Sequence, residues 1–279
     1  MSFLLVMKAE IVRTLIIMRR YWLRTIMGMI MGYGMLIVLI LGFMLSQEEL
    51  TNTMNDRFGD PEAATNFVLG FIIGMFAFGI VGMFTQGLQG MAVSGVLEQL
   101  CLSPHGLVTN FLARSTVAAI TTCFSSSLMV WMVTMTVGGT LFFNGPALAM
   151  LLILTFINLL GFGFMMGGLI LVFKQVGQVA ILIRMGLFAL AIFAKEELLE
   201  QGWAMATLVH ALPIADAAIL LKHVLIKNQG LVDGNYVPVY QHPSLFFLLL
   251  SCAVWTTLGI TCFKMMENWS RAKGTLGTY

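Results

Sequence analysis

The side chains able to bind a metal or move a proton are four histidines, four cysteines and thirteen carboxylates in 279 residues. Their spacing builds none of the arrangements that such chemistry needs. There is no H-E-x-x-H, which would set two imidazoles on one helix face, and no G-x-S-x-G, which would raise a nucleophile on a tight turn. His105, His210, His223 and His242 fall in loops or interfacial segments far apart in sequence. No apolar run carries the pair of aspartates that an intramembrane acid protease would use. Cys101, Cys123, Cys252 and Cys262 are scattered without metal or disulfide spacing and read as small hydrophobes. No G-x-x-x-x-G-K-[ST] is present to cradle a phosphate, so ATP-driven work would need a second polypeptide. The sequence reads as a protein that is not an enzyme, with no cofactor or metal of its own.

Two polar features stand out against the apolar background. Arg184 is a cation inside an apolar run, where an unpaired charge costs several kcal/mol. No run offers it an Asp or Glu. Its open choices are backbone carbonyls, a watery cavity, an anionic group on a transported molecule, or snorkelling to the interface. The second feature is the stretch 95–114, GVLEQLCLSPHGLVTNFLAR, which separates two long apolar runs. Val96, Leu97, Leu100 and Leu102 recur at roughly helical spacing around Glu98 and Gln99, and Pro104 with Gly106 stops the pattern. A short helix held under a membrane is a docking surface.

The elements that must position these residues follow from composition. With 59% hydrophobic and 10% charged residues the chain is far from a soluble domain, which carries about 25% charged residues. It reads as an all-α, multi-pass membrane protein. Residues 1–24 mix Phe3 to Met7, Leu15 to Met18, Tyr21 and Trp22 with Lys8, Arg13, Arg19, Arg20 and Arg24. They are expected to form an amphipathic helix in the headgroup layer rather than a removable signal. Residues 25–279 form the transmembrane domain. Six runs approach or exceed the ~20 residues that cross a ~30 Å hydrocarbon layer, at about 25–45, 66–87, 115–139, 147–173, 176–194 and 244–264. The segment 195–243, punctuated by Pro213, Gly230, Gly234, Pro238 and Pro243, is expected to hold short helices dipping into the outer leaflet.

Charge distribution orients the chain. With the N-terminus inside, inner segments carry ten cations against three acids and outer segments four cations against ten acids. This asymmetry puts both termini and the 88–114 region in the cytoplasm. Gly28-x-x-x-Gly32, Gly70-x-x-x-Gly74 and Gly163-x-x-x-Gly167 leave smooth strips for close helix packing, within the chain or between subunits.

Residues 95–104, Gly-Val-Leu-Glu-Gln-Leu-Cys-Leu-Ser-Pro, resemble the G-T-L-E-Q-L-x-x-S-P signature that follows the second span of ABC-2 type permeases, the six-span membrane subunits of ABC exporters. Phe173 to Gln178 is similar to that family's short inner loop, and Ala211-Leu212-Pro213 with the helix after it to its outer re-entrant region. The chain has Ala92 and Val93 where the family often carries an Arg-Glu pair. The resemblance implies a coupling helix built on Gly95, Leu97, Glu98, Gln99, Leu102, Ser103 and Pro104, docked in an ATPase subunit. It implies two such ATPases, which bind the ATP and Mg, and a second permease copy or paralogue in a bacterial-type plasma membrane. A substrate path along the second and fifth spans would use Phe71, Met75, Phe78, Arg184 and Phe188. An outer gate would use Glu196, Glu197, Pro213 and Asp216. The apolar, Met- and Phe-rich walls favour a hydrophobic or amphipathic small molecule such as a drug, antibiotic or lipid. The alternatives are lipid-linked polysaccharide or, from another class, an ion-coupled secondary transporter. The absence of carboxylates within the spans argues against the last.

Overall fold

The computed structural model describes residues 2–50, 61–101, 103, 105–137, 141–173, 177–200, 202–227 and 239–273, and every regular element among them is helical. In order these are α1 (Ser2–Arg20), α2 (Trp22–Leu50), α3 (Pro61–Val93), α4 (Val96–Cys101), α5 (Gly106–Val137) and α6 (Gly145–Val172). There follow α7 (Gly177–Phe193), α8 (Glu197–Glu200), α9 (Trp203–Ala211), α10 (Ala215–Lys227), a 3-10 turn (Val239–Gln241) and α11 (Pro243–Ala272). Among the described residues, α3, α5, α6 and α11 are long and apolar enough to cross a membrane. The number rises to six if α1 with α2 and α9 with α10 each count as one bent span. This is compatible with a multi-pass membrane protein. The 17 residues of α7, expected as the span 176–194, reach about 25 Å at 1.5 Å per residue, less than the ~30 Å hydrocarbon layer.

Several helices outrun the apolar stretches that announce them. The span expected at 66–87 continues as helix to Val93, and the one expected from 115 begins at Gly106. Polar side chains end a membrane span but not a helix, because the backbone ladder does not depend on side-chain polarity and polar side chains can share its carbonyls. Thr85 Oγ1 donates to the carbonyls of Val81 and Gly82, and Asn110 Nδ2 to that of Gly106. Backbone conformation sets the boundaries instead: Gly95 and Gly106 both sit at φ +72°, a region where a Cβ is strained. They bracket α4 on its two sides.

The longest pairing is α6 against α11, and it is close because two glycines meet. A Cβ on Gly259 would run into the Gly161 carbonyl oxygen, and one on Gly161 would lie 2.5 Å from the backbone of Trp255 and Thr256. Across the same seam Asn158 and Ser251 exchange hydrogen bonds of 3.1 and 3.3 Å, and Cys252 Sγ donates to the Leu154 carbonyl. The Gly70-x-x-x-Gly74 strip packs on α7, where a Cβ at Gly70 would lie 2.7 Å from Ile192 Cα. This strip serves packing within the chain. Gly28 meets nothing within 4 Å.

The bundle has two distinguishable ends. At the hinge end, α4 joins the last turns of α3 and the first of α5. Phe84, Phe111, Phe164 and Phe263, all buried, pack there from α3, α5, α6 and α11, with ring centroids 4.8 to 6.2 Å apart. Helix α1 lies on α5, turning Phe3, Val6, Met7, Glu10 and Thr14 inward at helical spacing, and bends by 81° into α2. At the opposite, cap end, α9 and α10 form a hairpin bent by 89°. Its tip is fixed to α11: His210 stacks on Phe247 at 3.8 Å between centroids, and Trp255 Nε1 donates to the Ala211 carbonyl. Residues 228–238, which include Gly230, Gly234 and Pro238, lie outside the described residues.

Candidate functional site

At the hinge end the local sequence dictates a helix of six residues. The Gly95 amide donates to the Ala92 carbonyl and closes α3, and the amides of Ser103 and Gly106 donate to Leu100 and Ser103 to turn the chain into α5. Ser103 Oγ accepts from the His105 amide at 3.5 Å. Leu97 is fully buried and plugs α4 into the core, while Val96 and Gln99 face away. The side chain of Glu98, and Leu102 and Pro104, lie outside the described residues, as do Lys174 to Val176 of the 173–178 loop. Of the two residues that end α3 before this turn, Ala92 is buried and Val93 exposed. Beside α4, Arg114 ties three elements together. It lies 3.7 Å from Glu10 of α1 and donates to Met91 Sδ of α3 at 2.8 Å, while Arg13 pairs with Glu10 at 2.9 Å.

Arg184 does not snorkel. It is 3% exposed, and its Nε and Nη2 donate to the Phe78 carbonyl at 3.1 and 2.9 Å. Its guanidinium carbon sits 3.7 Å from the centre of the Phe78 ring. Gly82 makes the room, since a Cβ there would lie 2.7 Å from the guanidinium carbon. The third nitrogen, Nη1, has no acceptor among the described residues. Of the partners open to a buried cation, a backbone carbonyl and a ring face are the ones it holds.

The residues assigned to a substrate path come together, but as a helix contact. Phe71 is buried and packs edge to face on Phe188 at 5.2 Å, with the half-buried Met75 alongside, and Phe78 receives Arg184. None of the five borders the apolar cavity. That cavity, about 70 Å³, lies between α3, α5, α6 and α10, against Ile73, Phe76, Cys123, Ser126, Leu152 and Leu221.

The residues assigned to an outer gate divide between two polar groups at the cap end. Pro213 is buried in the α9–α10 turn, and the buried Asp216 accepts from or pairs with His210 at 2.8 Å. Glu196 Oε1 meets His223 Nδ1 at 2.5 Å and His242 Nε2 at 2.9 Å, and the two rings lie 5.1 Å apart. The side chain of Glu197, which begins α8, lies outside the described residues. Sequence spacing holds these histidines apart; the fold brings three of the four to one end. The available signal is that His210, His223 and His242 all fall within the segment 195–243, between the fifth and sixth apolar runs. Lys222 was also hidden in the sequence as one more outer cation. It is 4% exposed, and its Nζ donates to the carbonyls of Ala191, Ile192 and Ala194, each at 2.9 Å, closing the C-terminus of α7.

No family model matches the chain, and a search of curated proteins finds no match either.

Proposed function

We propose that the chain is the membrane subunit of an ATP-driven exporter, an ABC-2 type permease that moves a hydrophobic or amphipathic small molecule out of the cytoplasm or inner leaflet. The observation that carries this reading is α4. A six-residue helix reading VLEQLC is set between two glycines of positive φ, with one face sunk through Leu97 and the other turned outward. A helix on two flexible joints transmits a push without melting the long helices beside it. Leu97 delivers that push to the bundle, and Arg114 passes it to α1.

In this reading the hinge end and both termini are cytoplasmic, α1 is the interfacial elbow, and α9–α10 is the re-entrant cap before the last span. Two ATPase subunits bind ATP and Mg and grip α4 of a permease pair, and Glu98 is the contact residue. The near-absence of polar groups around the cavity supports an apolar cargo.

The test is reconstitution with a candidate ATPase. Glu98→Ala should leave expression and membrane insertion intact and lower drug-stimulated ATPase activity at least tenfold. Stimulation by glycolipids in place of amphipathic drugs would move the cargo to lipid-linked polysaccharide. Uptake driven by an ion gradient with no ATPase present would overturn the reading.

A further inference from the structure

We propose that Glu196, His223 and His242 form a site for one divalent transition-metal ion, with Zn²⁺ as the best match, that clasps the cap end of the bundle. Their ligand atoms lie within 4.8 Å of one another and come from three elements: the turn after α7, the middle of α10, and the residue that opens α11. Two imidazole nitrogens and a carboxylate oxygen suit a borderline ion in tetrahedral geometry, with the fourth position left to water. Calcium and magnesium, which prefer an all-oxygen shell, fit poorly.

The site is held before any ion arrives. His223 follows Lys222, whose three hydrogen bonds fix α10 to the end of α7 just before Glu196. His242 is the N-cap of α11. The imidazole side chains are only 10% and 11% exposed while that of Glu196 is 38% exposed, which leaves an entry path on the carboxylate side.

The contacts among the three also say what must change. His242 Nδ1 accepts from the Ser244 amide at 3.3 Å, so the neutral ring carries its proton on Nε2 and donates it to Glu196. Metal binding at Nε2 moves that proton to Nδ1, and the Ser244 contact gives way. His223 changes tautomer in the opposite sense, from Nδ1–H to Nε2–H. The ligand atoms, now 2.5 and 2.9 Å apart about the carboxylate oxygen, spread to roughly 3.3 Å, the separation that Zn–ligand bonds of about 2.0–2.1 Å impose in a tetrahedron.

The test uses the full chain, purified in detergent and stripped with chelator, and needs no ATPase, so its outcome is independent of the transport reading. Titration with Co²⁺ should give one ion per chain and the intense visible band of tetrahedral Co²⁺, without the near-ultraviolet sulfur-to-metal band that cysteine ligation produces. Zn²⁺ should displace it and raise the melting temperature by several degrees. Glu196→Gln and His223→Ala should each weaken Zn²⁺ binding by about a hundredfold or more. A wild-type protein that binds no ion tightly would overturn the proposal and leave a purely proton-bonded cluster. So would a band with thiolate character, or an affinity unchanged by both substitutions.

Discussion

Two buried cations, Arg184 and Lys222, are held by backbone carbonyls, and that makes their replacement informative. Lys222, from a buried position, puts three donors on the carbonyls of Ala191 and Ile192 in the last turn of α7 and of Ala194 just after it. Lys222→Met should cost about 2–3 kcal/mol, the scale of charge-assisted hydrogen bonds lost from buried acceptors. Lys222→Arg should recover only part of this, because a planar fork cannot converge on three oxygens as an ammonium does. Unfolding of the detergent-solubilised protein checks both. Arg184 and Gly82 form a second pair to test. Gly82→Ala should destabilise by about 1–3 kcal/mol, since the new methyl meets the guanidinium, and Arg184→Met in the same chain should remove most of that penalty. Additive effects in the double-mutant cycle would show that the two do not meet. Arg184 itself was conspicuous in the sequence, but its partner was not, because a backbone carbonyl carries no letter.

Helices were the most legible level, and the reason is physical. Long apolar runs have one stable use in a bilayer, so the places of α3, α5, α6 and α11 could be read directly. Their ends could not, since the backbone ladder runs on into polar sequence past the point where the apolar run stops. The short hinge helix was legible through Gly95, Gly106 and the intervening pattern. The seam between α6 and α11 was not: Gly161 and Gly259 stand 98 positions apart, and neither belongs to a G-x-x-x-G strip that the sequence singles out. Gly161→Ala should force the two helices apart and cost about 3 kcal/mol, near the upper end for overpacking in a close-packed core. Gly28→Ala, in a helix with nothing nearby, should be neutral or slightly stabilising by helix propensity. Comparing their melting temperatures separates close approach from mere glycine content. The meeting of His223 and His242 with Glu196 was illegible for a related reason. It depends on how a 13-residue helix folds back across the bundle, which no local periodicity encodes.

At the scale of the molecule, the clusters of ion-paired side chains lie at the two ends, and the middle is closed by small-residue contacts and aromatic rings around two inward polar contacts, Arg184 on the Phe78 carbonyl and Asn158 with Ser251. An apolar cavity between α3, α5, α6 and α10 lies in that middle. At about 70 Å³ it takes part of a ligand rather than a whole one. If cargo passes through it in the moving complex, Ser126→Phe should fill it and lower drug-stimulated ATPase activity severalfold while basal activity and expression persist. Equal stimulation in the variant would route the cargo elsewhere. The cap hairpin carries a different consequence, for how the protein is made. Asp216 and Lys222 enter the fold with α10, yet the ring under His210 and the indole that meets Ala211 belong to the last helix. A nascent chain that has not yet delivered Phe247 and Trp255 can seat α10 on α3, α6 and α7 but leaves His210 and the Ala211 carbonyl without their partners, so the tip of the hairpin is the part of the cap fixed last.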